Sequence, residues 1–282
     1  MSSPMKATAE GSFQKTPFSN VLLYSRERKM TGSLVITIQP DTPEGMSSVD
    51  VAGLSTLVLE NGAIVAVQTP SEADTLPWVL HELGVLDEDT FVKVQEAASK
   101  GGPSDEVSTL LRLRAADMSA IERGLQEQAR RRVVGLFGHP RGTYAYYAGV
   151  DLLAGAGRVR TPQDVLPIVW RGFVRAAPEE QAVAAVVDKL GARALRLRDV
   201  NEFERFEFGD ELGLAPAQLR TASSALDQLM GLAPDATLVR RWIYLLALTK
   251  QVEVVPVGPG PATSLAPQPV VSAPPRPPPV PP

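Results

Sequence analysis

The chain has 282 residues, an apolar fraction of 44% and a formal net charge of -4. That length suits one large or two modest domains with a real core, and the charge gives no general attraction to nucleic acid or to an anionic membrane. There are no cysteines and two histidines, His81 and His139, which excludes a disulfide framework, a thiol nucleophile and a Cys-ligated metal, and argues against a zinc or non-haem iron site built on imidazoles.

The first residues are small and polar, without an apolar signal core, and no run of about 18 apolar residues follows. A cytoplasmic protein without membrane contact is therefore expected, with residues 1–12 as a disordered lead-in. Arginine outnumbers lysine 21 to 7, which reads as the codon usage of a GC-rich bacterial genome. Residues 18–29 are predicted to form a short amphipathic helix with Phe18, Val21, Leu22 and Leu23 on its apolar side, closed by basic residues and stopped at Thr31-Gly32. The β-branched run Leu34-Val35-Ile36-Thr37-Ile38 reads as a strand. Residues 39–56 carry Pro40, Pro43, Gly45 and Gly53 and are read as a long loop. Asn61-Gly62, between Leu57-Val58-Leu59-Glu60 and Ala63-Ile64-Val65-Ala66-Val67, predicts a type I′ hairpin, because both turn residues need positive φ.

Residues 76–137 contain one helical unit written twice, at an offset of 30: Leu80 falls on Leu110, Leu83 on Leu113, Asp87 on Asp117 and Phe91 on Ile121. Each copy is a short helix with apolar residues three apart, a turn, an Asp in N-cap position and a second helix. Periodic apolar positions predict that the two hairpins bury these faces against each other as a helical core. Gly142-Thr143-Tyr144-Ala145-Tyr146-Tyr147 reads as a strand rejoining the sheet, so the helical pair is inserted between strands of one domain.

The order of helix, Thr31-Gly32, strand, hairpin with Glu60-Asn61-Gly62, paired helical repeat, Leu136-Phe137 and Gly142-Thr143-Tyr144-Ala145-Tyr146 resembles the PatA-like N-terminal (PATAN) family of bacterial regulatory domains over about residues 13–149. The chain departs from the family in its longer loop at 39–56 and in His139, where an aromatic residue is expected. The resemblance implies a non-catalytic regulatory role beside receiver, J-type chaperone or tetratricopeptide domains, and supplies no catalytic residues.

Residues 151–160 read as a Gly/Ala-rich connection to a second, mostly helical domain at 151–255. Thr161-Pro162 is expected to open its first helix, with Val165, Ile168, Val169 and Phe173 on one face. The acidic pair Glu179-Glu180 suits the first turn of the next helix, which carries Val183, Val186, Val187 and Leu190. Residues 195–208 alternate and read as a strand, 212–232 as two short helices, 238–248 as a helix and 252–255 as a strand. This order is winged-helix-like, and also resembles the segment after the PATAN region in myxobacterial-type multidomain proteins. Residues 256–282 hold 12 prolines in 27 positions and read as a polyproline linker or tail, so a longer protein is expected; as a ligand, Pro274-Pro275-Arg276-Pro277 would suit an aromatic groove.

The fold class expected is thus α+β: a small antiparallel sheet with an inserted paired helical repeat, followed by a mostly helical domain. No P-loop, dinucleotide fingerprint or Gly-x-Ser-x-Gly elbow occurs, so the chain is not expected to be an enzyme or to hold a cofactor or metal. One charge cluster stands out. Arg130, Arg131 and Arg132 lie within seven arginines from Arg112 to Arg141, against Asp117, Glu122 and Glu127. Consecutive residues point about 100° apart on a helix, so the three cannot all be buried, and they are the expected partner-binding residues. The leading expectation is a regulatory scaffold binding another protein. One alternative is a receptor for a cyclic di-nucleotide, since the helical pair also resembles the N-terminal domains of secretion and pilus ATPases, although Leu76-Pro77-Trp78 stands where their Arg-Leu-Gly would be. Another is a winged-helix DNA-binding regulator presenting Arg240-Arg241.

Overall fold

The computed structural model describes residues 5–38, 53–70, 74–99, 106–139, 141–155, 160–178, 180–190 and 193–255. The α+β class is observed. A five-stranded antiparallel sheet has the order β1-β5-β2-β3-β4, from β1 (Ala9–Ser12), β2 (Gly32–Ile38), β3 (Leu54–Glu60), β4 (Ala63–Gln68) and β5 (Gly142–Ala148). The Asn61-Gly62 turn between β3 and β4 has φ of 50° and 81°, as the hairpin signature requires. Helix α1 (Phe18–Glu27) precedes β2. Four helices, α2 (Leu76–Glu82), α3 (Glu88–Ser99), α4 (Glu106–Arg112) and α5 (Met118–Gly135), lie between β4 and β5, so the insertion is as expected.

The lead-in expectation fails at residues 9–12, which form the edge strand β1 on β5. Ala-Glu-Gly-Ser is a weak β former. Its place is set by backbone pairing and by Gly11, where a Cβ would meet the Tyr144 ring at 2.6 Å. The loop expected at 39–56 ends by Leu54, and residues 39–52 lie outside the described residues.

Alternation in the strands sends Leu34, Ile36, Leu57, Leu59 and Tyr146 to one face, where they meet α1 and the main core. On the other face Val58, Val65 and Ala66 form a satellite cluster under Leu153. Thr161-Pro162 does not open a helix. Thr161 and Gln163 instead pair with the free edge of β4 (Gln163 N–H to Ile64 O, 2.8 Å), and the helix starts after Asp164, whose carboxylate accepts from Leu166 N–H at 3.2 Å. The pairing covers an otherwise open sheet edge.

That helix, α6 (Val165–Arg175), is buried along most of its circumference and joins the two halves. It touches α1 and α5 on one side and the aromatic group Phe203, Phe206, Phe208 and Trp242 on the other. The apolar core therefore runs without interruption from Phe13 to Val252, across the boundary expected near residue 150. Arg26 and Arg205, sharing Asp164 and Glu202, clamp the same junction.

The second half continues with α7 (Glu180–Leu190), β6 (Ala194–Leu197), α8 (Ala215–Thr221), β7 (Ser224–Ala225), α9 (Leu226–Gly231), α10 (Ala236–Leu248) and β8 (Val252–Val255), with sheet order β7-β6-β8. The strand expected over 195–208 stops at Leu197. Phe203–Phe206 turns as a 3-10 helix, and Glu207 at φ 52° folds Phe208 back between Trp170 and Trp242. Burial of three phenylalanines decides this segment over alternation. The expected order of short helices, a helix and a strand is present through β8, and the residues after it lie outside the described residues. The three short strands come from separate places with no hairpin wing among the described residues, and α10 buries Val239, Trp242, Ile243, Tyr244, Leu245 and Leu246. Glu179 and residues 256–282 lie outside the described residues. Among the described residues no helix is long and apolar enough to cross a membrane.

Candidate functional site

The repeat in the sequence is a repeat of backbone geometry. In the first copy Gly84 N–H bonds His81 O (2.9 Å) and Val85 N–H bonds Leu80 O (2.9 Å). In the second Arg114 N–H bonds Leu111 O (3.0 Å) and Ala115 N–H bonds Leu110 O (3.0 Å). Each set is a Schellman C-cap. Its left-handed residue is Gly84 (φ 69°) in one copy and Arg114 (φ 52°) in the other. Asp87 then accepts from Thr90 N–H (2.8 Å) and Asp117 from Ala120 N–H (2.7 Å). The Thr90 side chain and backbone hold the Asp87 carboxyl below its ordinary range.

Leu80 and Leu110 are fully buried, and with Leu76, Leu86, Phe91, Val94 and Ile121 they make a core separate from the main one. Gly124 lets α5 close on α2, since a Cβ there would stand 2.7 Å from Leu80 Cδ2. Leu76 N–H donates to the Glu106 carboxylate at 3.1 Å, tying the starts of α2 and α4 together. Burial pushes the Glu106 carboxyl up, against the Leu76 N–H bond that lowers it.

The equivalent pair Leu83 and Leu113 does the opposite of what its spacing predicts. They are 46% and 45% exposed, not core. Each directly follows the last residue of its helix and still donates to the carbonyl four residues back (Leu83 to Val79 and Leu113 to Thr109, both 3.0 Å), so the small core stops short of it. Trp78 and Val92 in the first copy, and Leu111 and Met118 in the second, are also exposed. Trp78 stands edge-on to Phe91 (5.7 Å between centroids), and His81 stacks on Phe91 (4.9 Å) while its Nδ1 bonds Leu86 O. His81 is thus a half-buried structural histidine of the helix pair. Each copy thus presents three apolar side chains at its surface.

The expected partner-binding residues Arg130, Arg131 and Arg132 are not part of that surface. Arg130 pairs with Glu127 (3.9 Å) and Glu207 (3.4 Å); Arg131 with Glu127 (3.1 Å) and Glu82; and Arg132 donates to Asp74 O (3.3 Å). All three are largely covered, and Glu127 also accepts from Arg171 at 3.1 Å. Three directions around α5 meet three different neighbours, so the cluster is an internal brace.

An open polar cleft of about 500 Å³ lies among Arg196, Arg198, Asn201, Glu204, Arg220 and Ser223. Two of its guanidiniums are already paired, Arg196 with Glu253 and Arg220 with Glu204. A groove of about 280 Å³ between α7 and α10 includes Val183, Val187, Arg240 and Arg241. Arg241 there donates to Phe173 O at 3.2 Å. No group of three His, Asp or Glu side chains that could hold a metal ion occurs among the described residues. Comparisons with protein-family models, with curated proteins and with solved structures find no match to this chain.

Proposed function

We propose that the protein is a non-catalytic bacterial regulatory scaffold that binds another protein through the apolar surface of its inserted helical pair. The observation that carries this reading is the matched exposure of Leu83 and Leu113 at equivalent positions of a repeat whose equivalent leucines Leu80 and Leu110 are fully buried. A packed hairpin gains nothing from exposed leucine, and burial of one such side chain on binding contributes about 1–2 kcal/mol. The PATAN resemblance adds the expectation of a signalling context in the cytoplasm.

The test is affinity capture from nuclease-treated lysate of the source cell, with wild type beside a Leu83→Ser, Leu113→Ser variant. A stoichiometric protein partner, lost with the variant while its thermal unfolding is unchanged, supports the reading. Capture that survives both substitutions refutes it.

A further inference from the structure

We infer that the protein which covers the helical pair is a second copy of this chain, joined across a two-fold axis with the tip of one repeat copy on the tip of the other. The inference rests on the reading of the pair as an interaction surface, and deepens it by naming the occupant.

The argument is the charge each tip carries around the same apolar centre. Residues 82–89 place Glu82, Asp87, Glu88 and Asp89 about Leu83, with no cation. The equivalent residues 112–119 place Arg112 and Arg114 on either side of Leu113, with Asp117 the one acid. Glu82 is engaged by Arg131, and Asp87 and Asp117 are engaged as N-caps. That leaves Glu88 and Asp89 on one tip, and Arg112 and Arg114 on the other, all four exposed. Among the described residues neither Arg112 nor Arg114 has an ion-pair partner. Glu88 has only a 3.3 Å approach to His81 Nε2.

An isologous contact requires a surface complementary to itself: if residue i meets residue j, then j meets i. A tip with exposed Glu88 and Asp89 and a tip with exposed Arg112 and Arg114 on the same chain meet that requirement. The starts of α2 and α4 are hydrogen-bonded to each other, and each is a seven-residue helix about 10 Å long. Both tips therefore lie within about 30 Å of one another. Trp78 and Val92 beside one tip, and Leu111 and Met118 beside the other, extend the apolar centre. The steep φ cost at Arg114 fits the same picture. The first copy uses Gly84 at that position, as a Schellman cap prefers, whereas the second keeps an arginine at φ 52°.

The contact so formed is small, and its charged rim makes it salt-sensitive. Sedimentation velocity of the full chain, from roughly 5 to 500 µM and at low and high salt, reads it directly by mass action. Wild type is expected to dimerise, more weakly at high salt. Arg112→Glu with Arg114→Glu, and separately Glu88→Arg with Asp89→Arg, are each expected to weaken the dimer by more than about tenfold, through like charges facing each other. Mixing the two variants restores both complementary tip pairs, each acidic tip of one variant facing a basic tip of the other, and is expected to recover a heterodimer. A wild type monomeric throughout, a dimer indifferent to both reversals, or no recovery on mixing overturns the inference. Circular dichroism of each variant separates loss of fold from loss of contact. If self-association fails while Leu83→Ser with Leu113→Ser still abolishes capture of a different protein, this inference falls and the interaction-surface reading stands.

Discussion

Leu110 and Leu113 are three residues apart in the same unit, and replacing each with alanine is expected to give opposite outcomes. Leu110 is fully buried against Leu76, Leu80 and Ile121. Truncation removes its transfer free energy and leaves a cavity that this small satellite core can only partly close, about 3 kcal/mol within the usual 2–5 for buried leucine. Leu113 is 45% exposed, so truncation loses part of a partial burial and opens no cavity, about 0.5 kcal/mol. Urea unfolding followed by circular dichroism measures both. With a slope of about 3 kcal/mol/M, the midpoint moves by about 1 M for Leu110→Ala and about 0.2 M for Leu113→Ala. Leu80→Ala and Leu83→Ala repeat the comparison in the first copy and should give the same contrast. A Leu113→Ala shift as large as that of Leu110→Ala would refute the reasoning, because the residue would then be core and the exposed surface would lose its centre.

Arg114→Gly is expected to stabilise by up to about 1 kcal/mol, and Gly84→Ala to destabilise by about 1 kcal/mol, since no atom lies within 4 Å of a Gly84 Cβ and the left-handed backbone alone sets that cost; thermal melts of both decide it. Gly32→Ala should prevent stable folding, because its Cβ would stand 2.2 Å from Tyr147 O, and the soluble yield reports this. Replacing Arg130, Arg131 and Arg132 together by Glu is expected to lower the melting temperature sharply, as the brace onto Glu82, Glu127 and Glu207 becomes repulsive; an unchanged melt would return the cluster to the surface. The Arg26 hydrogen bond, opposed by burial, holds the Glu202 carboxyl low. The stabilisation from Glu202 is full above the ordinary glutamate pKa and lost as pH falls through the lowered value, so Glu202→Gln should flatten the acid side of a melting-temperature profile. Glu106, raised by burial, has the reverse sign: its contribution is full below the ordinary glutamate pKa and is lost as pH rises through the raised value. Glu106→Gln should therefore be at least as stable as wild type at neutral pH.

The elements most legible in the sequence were those whose signal is local. Asn61-Gly62 carried its turn because the turn needs positive φ at both positions, and the repeat was visible because its caps, Asp87 and Asp117, recur with its buried leucines. What could not be read depended on distant partners. β1 is a strand only because β5 offers a ladder, and residues 203–208 turn because Trp170 and Trp242 supply a place for their rings. The arginines of α5 read as a partner-binding cluster from composition alone; Glu82, 49 residues away from Arg131 in the chain, pairs with one of them and could not be foreseen. The candidate site was missed for a geometric reason. Leu83 and Leu113 fit the three-residue spacing of their helices, but lie just beyond the last helical residue. One signal was available: Leu110-Leu111 in a single short helix cannot both face one core, since neighbours diverge by about 100°.

If the inserted helical pair is the working surface, its exposed apolar side chains are covered in the complex. Carbene footprinting of the captured complex, set against the dilute chain, tests it most directly. The account predicts reduced labelling at Trp78, Leu83, Leu113 and Met118, with unchanged labelling at Leu54 and Val200, which are exposed elsewhere on the molecule. Unchanged labelling of the helical pair, with protection at Leu54 or Val200 instead, would contradict it.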